Sequence, residues 1–194
     1  MNDEPSILPP LVVQAQKAAA NAGFAMSCTN RTGALLRTLA ASKPGGRILE
    51  LGTGAGVGAA WLLSGMTTNS QLVTIETDRA VADLARGVIG PDPRLTLSIT
   101  DADSWLDDYT GSGFDMVFVD CRAGKFRRRD DLLEYLLPGG IYIGDDLLPQ
   151  PTWPVGQQTR VGRFLAEIPT QSGLRVALLN WDSGLVIGTR TGQR

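Results

Sequence analysis

Two groups of residues in this 194-residue sequence have types and spacings that can do chemistry. The first is Glu50-Leu51-Gly52-Thr53-Gly54-Ala55-Gly56-Val57-Gly58, which follows an apolar strand-like run and opens a helix-like one. Glycines there let the backbone turn sharply and let a ligand approach with no Cβ in the way. The amides of the helix start then favour an anionic group. Glu76 ends the next strand-like run, 24 residues after Gly52. A carboxylate there is placed to accept hydrogen bonds from ribose hydroxyls. The second group is Asp120, Asp145 and Asp146. Asp120 closes one apolar run and the Asp pair closes the next. On neighbouring parallel strands, ~4.8 Å apart, three carboxylates repel one another unless protonated or bound to a cation. Oxygen-only donors favour a hard divalent ion, Mg²⁺ ahead of Mn²⁺ or Ca²⁺. The plainer reading makes Asp145-Asp146 a solvated loop cap and leaves Asp120 touching cofactor alone.

Composition removes several other chemistries. The chain has no histidine, which excludes Ser-His-Asp and Cys-His catalysis and imidazole metal sites. Two cysteines, Cys28 and Cys121, build neither a zinc cluster nor a disulfide framework. A net charge of -2 argues against a nucleic-acid partner. No apolar run approaches the ~20 residues of a membrane span. The acidic start Met1-Asn2-Asp3-Glu4-Pro5 lacks the pattern of a signal peptide, so the expected location is the cytoplasm.

The elements that must position these residues alternate along the chain. Strand candidates are 47–51, 71–76, 95–99, 114–120 and 141–144. Helical spacing covers 57–66, 80–89, 104–109 and 128–137 between and after them. Strands alternating with helices predict a parallel sheet covered on both faces. A helix over 157–168 precedes strands 174–179 and 185–189, joined by Asn180-Trp181-Asp182-Ser183-Gly184 as an antiparallel hairpin. The expected fold is α/β: a Rossmann-like, doubly wound, seven-stranded sheet, mostly parallel with a C-terminal antiparallel hairpin. One domain is expected, with a helical segment over 1–42 and the cofactor-binding core over 43–194. In such a sheet ligands bind at the carboxyl edge, where both residue groups lie.

The glycine loop alone suits two cofactors. Gly54, Gly56 and Ala59 can be fitted to a dinucleotide fingerprint, which would make the chain a nicotinamide-dependent oxidoreductase; no P-loop is present. The motifs as an ordered set go further. Ile48 to Gly56 with Ala60-Trp61-Leu62 resembles the first motif of S-adenosylmethionine-dependent methyltransferases, closest to the catechol and caffeoyl-CoA O-methyltransferase branch. Thr74 to Asp78, Phe114 to Asp120, Leu136 to Ile143 and Gly144 to Leu148 resemble its later motifs in order and spacing. The resemblance covers roughly residues 24–190 and disfavours the oxidoreductase.

The resemblance implies an O-methyltransferase that uses S-adenosylmethionine and Mg²⁺ on a small aromatic vicinal diol. Glu50, Gly52, Thr53, Gly54 and Gly58 would line the amino-acid end of the cofactor, closed by the backbone at Cys28. Glu76 would hold the ribose, with Thr77, Asp101 and Ala102 about the adenine. Val57-Gly58 stands where the family often has Tyr-Ser, which removes a hydroxyl contact. Asp120, Asp145 and Asp146 would hold the metal, Asp146 replacing an Asn. The family's lysine base falls at Ala123; Lys125 lies two residues on, either swung inward at Gly124 or exposed. Members of the family often dimerise. An alternative keeps the cofactor but makes the protein metal-independent, directed at another nucleophile or non-catalytic. Among the remaining candidates, Arg127-Arg128-Arg129 reads as a solvated helix start or as a contact for an anionic substrate tail. Trp153 and Trp181 read as walls of a substrate pocket, and Trp61 as core.

Overall fold

The computed structural model describes residues 3–151 and 153–192. Its strands are β1 (Arg47–Leu51), β2 (Gln71–Glu76), β3 (Leu95–Ile99), β4 (Phe114–Val119), β5 (Leu136–Gly144), β6 (Leu174–Leu179) and β7 (Leu185–Arg190). They form one sheet in the order β3-β2-β1-β4-β5-β7-β6. β1 to β5 are parallel. β7 inserts antiparallel between β5 and β6. This is the doubly wound, Rossmann-like sheet with a terminal hairpin that the alternation predicts. The chain order reverses between β1 and β4, and their carboxyl ends open a crevice there.

The helices are α1 (Pro10–Asn21), α2 (Asn30–Ala41), α3 (Val57–Gly65), α4 (Arg79–Ile89), α5 (Ala102–Asp108), α6 (Arg129–Tyr135) and α7 (Gln157–Glu167). Strand side chains alternate between two cores, as a period of two requires. Ile48, Leu72, Met116 and Phe118 pack with residues of α1 to α4. Leu49, Leu51, Val117 and Val119 pack with residues of α5 to α7. Glu50 and Thr74 fall in register on the first of these faces, both fully buried. α3 is buried along most of its length, and Trp61 is core, as expected. Among the described residues no helix is long and apolar enough to cross a membrane.

Two of the boundaries that differ from the sequence reading have a clear physical reason. β5 begins at Leu136, inside the segment read as helix to residue 137. Pro138 disfavours helical backbone at Leu137, so the chain extends there and pairs Leu136 with Phe114 before a register shift. α5 begins at Ala102, two residues early, because Asp101 caps it by accepting from the amides of Asp103 (3.0 Å) and Ser104 (3.4 Å).

Candidate active site

A cavity of about 570 Å³ opens at the carboxyl edge of the parallel strands. The loop after β1 forms its floor. Gly52 and Thr53 both donate to the Ile75 carbonyl, at 3.0 and 3.1 Å. Gly52 has φ +98°, and a Cβ there would stand 2.9 Å from the Asp120 carbonyl oxygen. Only glycine therefore lets the loop pass the end of β4. Gly54 donates to Glu76 Oε2 at 2.8 Å, while Thr77 and Asp78 amides donate to Oε1 at 2.9 and 3.0 Å. Three backbone amides thus fix the Glu76 carboxylate and leave lone pairs free on the cavity side.

A smaller hollow adjoins the cavity beneath the loop, lined by Cys28, Glu50, Gly52, Thr53, Gly54 and Gly58 among others. Thr74 Oγ1 donates to Glu50 Oε2 at 2.5 Å. Thr53 Oγ1 must then donate to Thr74 Oγ1, at 2.6 Å, because the Thr74 proton is already used. Glu50 Oε1 and Ser27 Oγ are buried and have no partner among the described residues. Burial raises the Glu50 carboxyl to about 8 against the Thr74 bond, with smaller contributions from Asp120 and Glu76. A buried acceptor and a buried hydroxyl without partners suit the ammonium and carboxylate of an amino acid. Above the cradled Glu76, they fit S-adenosylmethionine.

The cofactor residues named from the sequence therefore fall in two adjoining hollows. Cys28, Gly52, Gly54, Glu76, Thr77, Asp101, Ala102 and Asp120 line the main cavity. Glu50, Thr53 and Gly58 line the smaller one. Thr74, Ser27 and Ser183 are not among the site residues that the sequence predicts. The signal for Thr74 is its register opposite Glu50 on paired strands; Ser183 comes from the distant hairpin loop and has no local signal.

Asp120, Asp145 and Asp146 all line the main cavity. Burial is the leading cause that raises the carboxyls of Asp120 and Asp145 above their ordinary range. The charge of Asp145 raises Asp120 further. Asp145 Oδ1 accepts from the Asp146 amide at 2.6 Å and from Ser183 Oγ. Asp146 has φ +63°, and its Oδ1 accepts from Trp153 Nε1 at 2.8 Å. The oxygen donors suit Mg²⁺ in type. Among the described residues, no three His, Cys, Asp or Glu side chains are grouped so as to hold a metal ion.

Lys125 is turned inward and buried, not exposed. Gly124, at φ +75°, turns the loop, and a Cβ there would meet Leu132 at 2.6 Å. Lys125 Nζ donates to the Asp145 carbonyl oxygen at 2.6 Å. It is not among the cavity-lining residues; Ala123, at the family's lysine position, is. Cys121 also lines the cavity, but burial raises its thiol to about 12, which leaves it a poor nucleophile. Trp153 walls the cavity as expected. Trp181 does not; its indole donates to Asp3 at 2.9 Å and lies beneath Arg31.

The chain is similar to known O-methyltransferases. A Mycobacterium avium protein named "Putative O-methyltransferase" is 35% identical over 141 residues, 69% of this chain and 62% of that protein. The chain therefore spans less than two thirds of that relative's length. The O-methyltransferase TomG of Streptomyces achromogenes, solved with SAM, is 25% identical with a TM-score of 0.81, over 96% of this chain and 92% of that one. An O-methyltransferase of Bacillus cereus, solved with SAH, shares the fold at a TM-score of 0.83 and 21% identity, over 96% and 93% of the two chains. The family model described as "Methyltransferase domain" matches residues 49–147. That is just over half of the chain, from the glycine loop through the acidic edge, and the chain belongs to the methyltransferase-domain family.

Proposed function

We propose that this chain is an S-adenosylmethionine-dependent O-methyltransferase acting on a small hydroxylated, planar acceptor. The observation that carries the reading is the unpartnered Glu50 Oε1 in a hollow that adjoins the amide-fixed Glu76 carboxylate. A sugar hydroxyl and an amino-acid ammonium, joined in one ligand, satisfy both. When bound, S-adenosylmethionine supplies an electrophilic methyl group on sulfur. The chain supplies orientation and a place for the acceptor proton.

Trp153 gives the acceptor an aromatic wall. The paired carboxylates of Asp120 and Asp145 face the same space and suit two neighbouring hydroxyls, which supports a vicinal diol. One carboxylate accepts the hydroxyl proton as the new carbon–oxygen bond forms, the role that histidine fills elsewhere. Lys125 acts through Asp145: its ammonium holds the Asp145 backbone, and its charge favours the ionised forms of both Asp120 and Asp145.

The reading here is metal-independent. It is favoured by the Trp153 indole, which holds Asp146 Oδ1 at 2.8 Å. The test is calorimetric titration of S-adenosylhomocysteine, followed by transfer of labelled methyl from S-adenosylmethionine to catechol with and without chelator. Micromolar binding and chelator-resistant transfer are expected. No binding would overturn the reading, and transfer that requires Mg²⁺ would overturn its metal-independent form.

A further inference from the structure

Beside the main cavity lies a second groove of about 260 Å³. Five arginines line it: Arg122, Arg127, Arg129, Arg160 and Arg163. They come from separate parts of the chain. Arg122 and Arg127 sit in the loop after β4, Arg129 opens α6, and Arg160 and Arg163 lie three residues apart on α7. Convergence of five guanidinium groups is costly unless counter-charges answer them.

Counter-charge is incomplete. Arg127 pairs with Asp103 at 2.5 Å. Arg129 and Arg163 share Glu167, at 3.5 and 2.7 Å. Arg122 and Arg160 have no carboxylate partner among the described residues; Arg160 makes one long contact, 3.4 Å, to the Gln157 side-chain oxygen. Five cations against two carboxylates leave the groove positive, in a chain whose net charge is -2. The floor is aromatic. Phe126 and Phe164 meet edge to face with centroids 5.8 Å apart, and Arg129 lies over Phe164.

The groove borders the cavity, because Arg122 and Arg127 line both. A single carboxylate would neutralise one of the surplus charges. A phosphate group carries up to about two charges and three acceptor oxygens, which guanidinium forks match in bidentate fashion. We infer that the groove binds the phosphate group of a phosphorylated methyl acceptor, whose hydroxyl end reaches Asp120 and Asp145 past Arg122 and Arg127. This rests on the methyl-transfer reading, with the groove supplying the substrate class.

The test uses the full chain loaded with S-adenosylhomocysteine, titrated with pyrophosphate in metal-free buffer. The wild type is expected to bind it, and Arg160→Ala combined with Arg163→Ala to weaken binding at least tenfold. Affinity for S-adenosylhomocysteine and the melting profile should be unchanged in that variant, and Arg160→Glu should weaken pyrophosphate binding further. Turnover then compares a neutral alkyl catechol with the same catechol bearing a terminal phosphate. The phosphorylated acceptor should show at least tenfold higher kcat/KM in the wild type, and the preference should vanish in the double variant. Absent pyrophosphate binding, equal binding by both proteins, or equal turnover of the two acceptors would overturn the inference. Failure of the methyl-transfer reading is seen separately, as absent S-adenosylhomocysteine binding.

Discussion

A Cβ placed on Gly58 would stand 2.4 Å from Glu50 Oε1. The glycine that replaces the family's serine and the unpartnered carboxyl oxygen therefore occupy one space. The missing hydroxyl is not a simple loss, because Glu50 fills the room that a side chain at 58 would need. Ser27 offers an unused buried hydroxyl at the same hollow. Gly58→Ser should displace the Glu50 carboxyl and weaken S-adenosylhomocysteine binding about tenfold, or ~1.4 kcal/mol. Calorimetry reads this directly. A dissociation constant within twofold of wild type would mean that Glu50 swings aside freely.

Glu50 also makes the ligand-free protein sensitive to pH. Its carboxyl is raised from 4.5 to about 8, chiefly by burial. The folded state then holds a proton that the unfolded state has released, so this contribution is full below pH 4.5 and is lost as pH rises through about 8. Melting temperature should fall across that window, and Glu50→Gln should flatten the fall. An ammonium beside Oε1 favours the ionised carboxylate. Binding of S-adenosylhomocysteine at pH 7 should therefore release a proton, measured as a dependence of the calorimetric enthalpy on buffer ionisation. A buffer-independent enthalpy would remove Glu50 from the ammonium site.

Much of this site was legible in the sequence because its parts sit at the ends of buried parallel strands. Such strands read as apolar runs, and the topology alone brings Gly52, Glu76, Asp120 and Asp145 to one edge. The inward turn of Lys125 was not legible, since it depends on the left-handed backbone at Gly124 and on packing against Leu132. Nor was the fate of the Arg127-Arg128-Arg129 run, read chiefly as a solvated helix start. Arg128 takes φ +57° and turns to Asp107 and Asp131, while Arg127 and Arg129 enter the groove. Apart from Asp131, the partners that separate them lie on α5 and α7, and no local pattern brings those helices near.

The hairpin loop holds the segment that covers the cofactor hollow. Asp182 Oδ2 accepts from the Thr32 amide at 3.0 Å, from Thr32 Oγ1 at 2.6 Å and from Thr29 Oγ1. It thus caps α2 from 150 residues away, and Ser27 and Cys28 immediately precede that cap. Asp182→Ala should cost ~0.5–2 kcal/mol of stability, the range for a lost helix cap. It should also weaken S-adenosylhomocysteine binding severalfold, because Ser27 loses its fixed position. Urea denaturation and calorimetry on the same variant separate the two effects. A stability loss with unchanged affinity would mean that the cap does not position Ser27.

Asp145 links the acidic edge to the rest of the fold through Ser183, the Asp146 amide, Lys125 and the Val119 carbonyl. Asp145→Asn keeps the shape of the side chain and removes its charge. That variant should lose at least a hundredfold in kcat, the lower range for a lost general base, while its affinity for S-adenosylhomocysteine stays within twofold. Adding Mg²⁺ should neither rescue this variant nor alter wild-type turnover; a cation that took Asp146 Oδ1 would release the Trp153 indole. Tryptophan fluorescence followed during a Mg²⁺ titration reports that release. Saturable quenching at micromolar Mg²⁺, accompanied by a rise in turnover, would show that the three aspartates do close around a metal.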